Sequence, residues 1–194
     1  MATYGSIGIA EFFGAVYSTS GGSFDSIFSD RSILCDGSDQ AFVRPTVAGN
    51  EKWFHFVFYD NSDGSGGSFN DPFYITDTGN TTLFTLNSPN NGPVVTVQYF
   101  NSPGLVTGPN FILNEQRFYT FDIHIKTGAG TGFLEIFINE ILTFSASGLD
   151  NGTLDIKELV LRSNRLSITG AACSYSEILI GEDAISPTVG RRVS

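Results

Sequence analysis

Positive charge is scarce in this sequence. Lys and Arg number 10 against 20 Asp and Glu, which gives a formal net charge of −10 at pH 7. A nucleic-acid backbone or an anionic membrane surface is bound by clustered Lys and Arg side chains that displace counterions. The basic cluster Arg191-Arg192 near the C-terminus is too small for either role. We therefore expect no nucleic acid and no membrane among the partners.

Long apolar runs are also missing. The N-terminal stretch MATYGSIGIAEFF has neither a positively charged start nor an uninterrupted apolar segment, so no secretory signal is visible. No segment approaches the roughly 20 apolar residues that a membrane-spanning helix needs. We expect a soluble chain that is made in a cytosol.

Cysteine is nearly absent, because Cys35 and Cys173 are the 2 in the chain. Two cysteines make neither a disulfide framework nor a zinc site of four thiolates. Both adjoin strand-like segments, which favours two small buried side chains. A disulfide that joins the first and last strands is the alternative.

Aromatic residues and glycine are abundant instead. The chain has 18 Phe, 7 Tyr and 22 Gly, and 41% of its residues are hydrophobic. This composition favours a large aromatic core with many tight turns and argues against disorder. All-β sandwiches often reach about 200 residues around one core. We expect one domain over residues 1–194, with residues 1–50 the least defined part and residues 184–194 a C-terminal segment.

Apolar and polar residues alternate with a period of two, which is the pattern of a half-buried strand. In RFYTFDIHIK the apolar set Tyr119, Phe121, Ile123 and Ile125 shares one face and polar residues occupy the other, which predicts one buried and one wet face. WFHFVFYD is apolar or aromatic on both faces and is expected at the centre of a sheet. In total we predict ten to thirteen strands, little or no helix, and an all-β, two-sheet antiparallel sandwich.

The segment GFLEIFINEILTF contains a hairpin. Its two apolar stretches alternate as strands, and the polar pair Asn139-Glu140 separates them. Asn tolerates positive φ and is favoured at the first central position of a type I′ turn, whereas Glu140 replaces the usual Gly at a cost of about 1 kcal/mol. We predict a two-residue turn.

The segments DIHIKTG and FLEIFIN, joined by a Gly-rich turn and followed by a returning strand, resemble the laminin G-like hairpin. That hairpin belongs to the concanavalin A-like lectin/glucanase jelly roll, in which the turn usually has Asn-Gly. The resemblance implies a jelly-roll β-sandwich.

A narrower resemblance is to bacteriophage structural proteins that carry this domain. It rests on WFHFVFY, the hairpin, the strand SEILI from Ser176, and a final Thr-x-Gly-x-Arg-Val segment from Thr188 to Val193. The segment Ala184–Pro187 lengthens the approach to that final segment. The resemblance implies a protein of the virion that is made in the host cytoplasm.

Catalysis is not expected. The glucanases of this fold use a Glu-x-Asp-x-x-Glu strand, since residues two apart share a face and a retaining pair lies about 5 Å apart. The chain has no such motif, because Glu135 stands alone on its strand and Glu140 belongs to the turn. We expect no catalytic, cofactor-binding or metal-binding residue.

Three groups of residues are candidate sites, and two of them could bind a metal ion. His55 and His124 lie on strands and could meet across a sheet, although two ligands without a third make a weak metal site. The loop with Asp60, Asp63, Asn70 and Asp71 offers oxygen ligands for Ca²⁺, but such residues are also common in solvated turns, which we favour.

The aromatic residues Trp53 and Tyr59 could stack on a sugar ring, but we expect Trp53 to pack in the core, as large aromatic residues do. The resemblance implies a non-enzymatic phage protein, either a head decoration or fibre-base protein or a tail-associated one. It would contact other virion proteins, assemble as a homo-oligomer and contact host glycans. The alternative is a carbohydrate-binding lectin, calcium-dependent or not, that is no part of a virion.

Overall fold

The computed structural model describes residues 15–20, 23–25, 32–36, 40–60, 70–87, 93–114, 116–162 and 172–182. In these ranges the chain forms fourteen strands and no helix, so none of the described residues belongs to a helix that could cross a bilayer. The strands are β1 (Ala15–Ser20), β2 (Ser23–Asp25), β3 (Ser32–Asp36), β4 (Gln40–Pro45), β5 (Glu51–Asp60), β6 (Asn70–Asp77), β7 (Thr82–Asn87), β8 (Val94–Asn101), β9 (Gly104–Ile112), β10 (Phe118–Lys126), β11 (Gly132–Ile138), β12 (Ile141–Leu149), β13 (Ile156–Arg162) and β14 (Ala172–Glu182).

These strands form two sheets of seven. Sheet A has the order β1-β4-β13-β6-β7-β8-β9, and sheet B has the order β12-β11-β10-β5-β14-β3-β2. Neighbours pair antiparallel in both sheets. The predicted all-β, two-sheet antiparallel sandwich is therefore confirmed. Strands distant in sequence become neighbours, since β13 lies between β4 and β6 and β14 lies between β5 and β3.

The core lies between the sheets and includes Tyr119, Phe121, Ile123 and Ile125, the face of β10 that alternation assigned to it. Phe54, Phe56 and Phe58 are each 0% exposed, and β5 is the central strand of sheet B, as predicted. The ring of Phe73 on β6 meets Phe56 edge-on at 4.8 Å and Phe121 at 4.9 Å, which joins the two sheets. Edge-to-face contacts of this kind add to the free energy gained from burial.

The Asn139-Glu140 hairpin is confirmed. Ile138 pairs with Ile141, and the two turn residues have φ of 51° and 69°, the left-handed geometry of a type I′ turn. The backbone N–H of Asn139 also donates to the carbonyl of Thr120 at 2.9 Å, which ties the turn to β10. The polar pair therefore serves to reverse the chain.

The outward face of sheet B departs from two predictions. Trp53 lies on this face, half-buried, and does not belong to the core between the sheets. Asp122, predicted on a wet face, is 1% exposed. Trp53 faces outward because alternation turns its neighbour Phe54 into the core, and Asp122 is buried because side chains such as that of His55 cover it.

The two cysteines lie directly opposite each other on β3 and β14, a proximity that the sequence does not reveal. Both are fully buried thiols, and the alternative of a disulfide between them is not formed. The Sγ of Cys35 donates to the carbonyl oxygen of Leu161 at 3.6 Å, so this thiol contacts β13 across the sandwich. The prediction of two small buried side chains is confirmed.

The predicted SEILI strand is part of β14 and contains a bulge. The pairing with β5 shifts between Ser176 and Leu179, and Glu177 at the shift has φ of 50°. A bulge of this type adds one residue to a strand and bends it locally. The segment from Thr188 to Val193 lies outside the described residues, and the single-domain expectation stays a prediction.

Candidate functional site: a groove on the outer face of sheet A

A groove of about 400 Å³ crosses the outward face of sheet A. Five neighbouring strands, β13, β6, β7, β8 and β9, and the β6–β7 turn contribute side chains to it. Its volume lies within the range of about 300–1,000 Å³ that is usual for small-ligand sites. The residues that line this groove, called the sheet A groove below, are Tyr74, Thr76, Asn80, Thr82, Thr85, Asn87, Gln98, Leu105, Glu158 and Arg162.

Strand alternation aims these side chains outward. On β6, Phe73 and Ile75 face the core, so Tyr74 between them faces the groove. Antiparallel pairing then sets polar partners side by side, because Tyr74 lies opposite Thr85 and Thr85 lies opposite Gln98. The result is a row of hydroxyl and amide groups across three strands.

Some of these polar groups have partners and one does not. The Nδ2 of Asn87 donates to the Oε1 of Gln98 at 3.4 Å, and the Oγ1 of Thr85 is 3.4 Å from the carbonyl oxygen of Phe73. The Oγ1 of Thr76 is buried and has no hydrogen-bond partner among the described residues. Thr76 is 6% exposed and lines the groove, so this unsatisfied hydroxyl is buried at the groove floor.

Charged side chains of β13 line one side of the groove. Glu158 is 5% exposed, and its Oε2 accepts from the Nε of Arg44 at 2.7 Å while its Oε1 lies 3.3 Å from the Nζ of Lys157. The guanidinium of Arg162 lies over the ring of Tyr74, 4.6 Å from its centroid. This stacking holds a cation inside the polar lining.

Tyr175 supports the end of β13 that carries Arg162, and it does so from the core side. Its hydroxyl lies 2.7 Å from the carbonyl oxygen of Arg162 and 2.5 Å from that of Pro72. Burial raises the pKa of Tyr175 well above its usual range, so the phenol keeps its proton and donates it. The end of β13 that carries Arg162 is therefore anchored to sheet B.

The outward face of sheet B holds the two histidines, which do not pair with each other. His55 lies opposite Asp122, with its Nδ1 2.6 Å from Oδ1 of that residue. His124 lies opposite Trp53, and its ring contacts carboxylates on both sides, Glu51 at 3.0 Å and Glu135 at 3.3 Å. Among the described residues, no group of three or more His, Cys, Asp or Glu is placed to hold a metal ion.

The two aromatic residues considered as a sugar platform, Trp53 and Tyr59, both pack against neighbouring rings of sheet B. The ring of Trp53 is stacked under that of His124, with centroids 4.0 Å apart and an interplanar angle of 10°. Trp53 therefore offers no open platform for a sugar on that side. Tyr59 packs against Phe118 with ring centroids 4.7 Å apart, and Phe118 is 56% exposed.

Two buried polar atoms of sheet B also lack partners among the described residues, the Nε1 of Trp53 and the Oδ2 of Asp122. Both lie beneath other side chains of the same face. At the edge of this cluster the Nζ of Lys126 lies 2.9 Å from Oε2 of Glu51. This hydrogen bond, helped by the one from His124 and opposed by burial, lowers the pKa of the Glu51 carboxyl.

The candidate calcium loop falls largely outside the described residues, which include neither Asp63 nor the side chain of Asp71. Asp60, at the end of β5, is 0% exposed, and its carbonyl oxygen accepts from the N–H of Gln116 at 2.9 Å. Asn70 begins β6 opposite Asn87. Calcium binding by this loop stays a prediction.

Sequence analysis missed the groove residues. Thr76 and Arg162 belong to none of the candidate sites that the sequence suggested. A usable signal was chemistry, since the residues of β7 and β8 that line the groove are Thr, Asn and Gln and carry no charge. A run of uncharged hydrogen-bonding groups on adjacent strands is suited to a polar, uncharged ligand.

No protein-family model and no curated protein matches this sequence. Solved structures match its fold. The receptor-binding domain of botulinum neurotoxin mosaic serotype C/D has a TM-score of 0.67 at 13% identity, over 93% of this chain and 46% of that one. The serotype D ligand-binding domain, in complex with N-acetylneuraminic acid, has a TM-score of 0.63 at 12% identity, over 92% and 45%.

An endo-β-1,4-glucuronan lyase from the fungus Trichoderma reesei is also similar, with a TM-score of 0.61 at 15% identity, over 85% of this chain and 87% of the lyase. This chain thus spans about half the length of the toxin domains and most of the lyase. At these identities the likeness shows the β-sandwich fold alone, and it agrees with the jelly roll that the sequence resemblance implied.

Proposed function

We propose that this chain is a carbohydrate-binding β-sandwich that holds a glycan in the sheet A groove and does not change it chemically. The observation that carries the proposal is the groove itself, about 400 Å³ in volume and lined mainly by hydroxyl, amide and aromatic side chains. Sugars present many hydroxyl groups that both donate and accept, and Thr, Asn and Gln side chains supply both functions. The partnerless hydroxyl of Thr76 gives one defined point of attachment.

Two of the structural neighbours support a sugar ligand. One is a toxin domain in complex with N-acetylneuraminic acid, and another is a lyase of glucuronan. Fold similarity alone does not establish function, so the groove carries the proposal and the neighbours agree with it.

The lining supports binding rather than hydrolysis. Glycoside hydrolysis in most families needs two carboxyl groups that flank the glycosidic bond. Within the described part of the chain, Glu158 is the one carboxylate of the lining, and Arg44 and Lys157 engage its two oxygens. We therefore keep the expectation of a non-enzymatic protein as part of the proposal.

The sequence resemblance adds a finer prediction, that the module belongs to a bacteriophage particle and contacts other virion proteins as a homo-oligomer. Immunogold electron microscopy of purified particles from the source tests it. Regular labelling over the head indicates a decoration protein, and labelling at the tail indicates host attachment. No labelling, with an epitope shown to be accessible, leaves a lectin that is not part of a virion.

A glycan array followed by calorimetry tests sugar binding. We expect the double variant Asn87→Ala, Gln98→Ala to lose at least tenfold in affinity for the best glycan, since each hydrogen bond contributes about 1 kcal/mol. The matched control Phe118→Ala changes an exposed residue of sheet B and should bind as the parent does. Absence of binding to any glycan at millimolar concentration, or full affinity in the double variant, contradicts the proposal. Loss of binding on addition of EDTA would indicate the calcium-dependent form.

A further inference from the structure

We infer that Cys35 and Cys173 are a redox pair, which stays as two thiols under reducing conditions and closes into a disulfide when the protein meets an oxidising thiol–disulfide buffer. The bond links β3 to β14 and converts the sandwich into a cross-linked form. The inference concerns the core side of sheet B and is independent of sugar binding in the sheet A groove.

The two cysteines are directly opposite each other in an antiparallel pair of strands. In the register of β3 and β14, Cys173 is the partner of Cys35. Directly opposite residues of such a pair have Cα atoms about 4.5 or 5.5 Å apart, according to whether they exchange hydrogen bonds. Both distances lie within the range of about 4.4–6.8 Å in which disulfides are found. The backbone spacing is therefore suited to a disulfide.

Both side chains also point to the same side of sheet B. Each thiol is 0% exposed and belongs to the core between the sheets, because opposite residues of a pleated sheet share a face. The ring of Tyr175 reaches the same place. Burial is the main cause that raises the pKa of Tyr175, and the nearby thiols of Cys173 and Cys35 raise it further. Both sulfur atoms therefore lie on the core side, near the same phenol.

The bond has one possible pairing and joins distant parts of the chain. The sequence has 2 Cys, so each thiol has a single intramolecular partner. Since β3 is near the start of the described strands and β14 is the last of them, the disulfide closes a loop that holds most of the chain. A cross-link of a long loop restricts the unfolded chain and so stabilises the folded one. The thiol form suits a reducing cytosol, and the cross-linked form suits an oxidising environment.

The oxidant is a small-molecule disulfide such as oxidised glutathione. The thiolate of one cysteine attacks it, forms a mixed disulfide and releases one glutathione. The thiolate of the other cysteine then attacks the protein sulfur of the mixed disulfide and releases the second glutathione. Two protein thiols are thus oxidised to one disulfide, while the glutathione disulfide is reduced to two thiols that take up the two protons. Because both cysteines are fully buried, the exchange requires β3 and β14 to separate locally.

The test treats the folded protein with excess oxidised glutathione, and a parallel sample is refolded from urea in the same buffer to remove the barrier that burial imposes. Intact mass spectrometry should show that the monomer has lost its two thiol hydrogens, which identifies the bond because the chain has 2 Cys. Thermal unfolding should occur about 10 °C higher than in the reduced protein. Dithiothreitol should reverse both changes.

Single replacements of either cysteine are the matched controls. Free Cys packs as a small hydrophobic side chain, so Cys35→Ala and Cys173→Ala keep the character of the site and remove one sulfur. In each variant the unfolding temperature should be the same in the oxidising and reducing buffers. Thermal unfolding also confirms that each variant is folded.

Several results overturn the inference. One is a refolded parent protein that keeps both thiols or carries a glutathione on each of them. Another is a disulfide between two chains, which a non-reducing gel detects. A disulfide within the chain that leaves the unfolding temperature unchanged or lowers it shows that the folded sheet does not accommodate the bond. An equal rise in either alanine variant assigns the effect to the buffer.

Discussion

The outer faces of both sheets carry polar and aromatic side chains, but these side chains are arranged differently on the two faces. On sheet B, the Nδ1 of His55 lies 2.6 Å from the Oδ1 of Asp122, and the rings of Trp53 and His124 are stacked with centroids 4.0 Å apart, so these polar and aromatic groups contact and cover one another. On sheet A, the residues enclose a groove of about 400 Å³ that contains the partnerless hydroxyl of Thr76. The aromatic and titratable residues of sheet B, which the sequence analysis considered as candidate sites, therefore serve to stabilise the fold.

The comparison shows that a binding face is distinguished from a supporting face by side chains that line open space, and not by the residue types that it carries. Trp53 and the two histidines are the residue types that most often serve in sites, yet their partners already lie within the same sheet. Thr and Gln are ordinary strand residues, yet on sheet A they line open space. Truncation on sheet B should therefore cost stability, and truncation on sheet A should cost binding.

The largest expected effect is that of Trp53→Ala on sheet B. Loss of a half-buried indole that packs on His124 and Phe137 should lower the free energy of unfolding by about 2–3 kcal/mol, at the low end of the range for core Trp to Ala changes. Urea denaturation measures this loss, and glycan affinity should stay unchanged. A folded variant that loses glycan binding would show that sheet B holds the site.

A smaller loss is expected for His55→Ala, which breaks the hydrogen bond to the buried carboxyl of Asp122. A hydrogen bond to a charged group contributes about 1.5–3 kcal/mol, so we expect a loss of about 2 kcal/mol in the same assay. Gln98→Ala is the matched truncation on sheet A and should stay within about 0.5 kcal/mol of the parent. Equal losses in the two variants would remove the distinction between the faces.

Thr76→Val should act in the opposite direction. The change keeps the shape of the side chain and removes a buried hydroxyl that has no partner among the described residues, so the unliganded protein should gain about 1 kcal/mol. Glycan affinity should fall at the same time, because the ligand loses a hydrogen bond. If stability drops and affinity holds, then Thr76 has a structural partner and does not serve the groove.

The smallest effect is the pH dependence of Glu51 on sheet B. The hydrogen bond from Lys126 lowers the pKa of this carboxyl below the usual 4.5, so its stabilising contribution is fully present above the unfolded-state pKa and is lost as pH falls through the folded-state value. The difference in unfolding free energy between parent and Glu51→Gln should shrink when pH falls from 7 to below 4. A difference that does not change with pH would contradict this assignment.

Local sequence pattern accounts for most of the fold. Alternation identifies Phe121, Ile123 and Ile125 as core residues, and the tolerance of Asn139 for positive φ explains the hairpin. Both depend on residues that are close in the chain, so sequence analysis is sufficient for them.

The groove depends on pairing between distant segments and could not be predicted in this way. Insertion of β13 between β4 and β6 brings Glu158 opposite Thr76 and sets Arg162 beside Tyr74. Nothing in the residues near Thr76 specifies that neighbour. The side of the sheet that Trp53 occupies could not be predicted from the sequence either, because both faces of its strand are apolar.

A titration followed by ¹H–¹⁵N NMR tests the central claim, that the sheet A groove binds the sugar, most directly. With the tightest-binding glycan of the array added to the labelled protein, we expect shift changes at Tyr74, Thr85 and Gln98. Signals of Trp53 and of the histidine strands of sheet B should stay in place. Changes that map to the face of Trp53 and His124 instead would contradict the account.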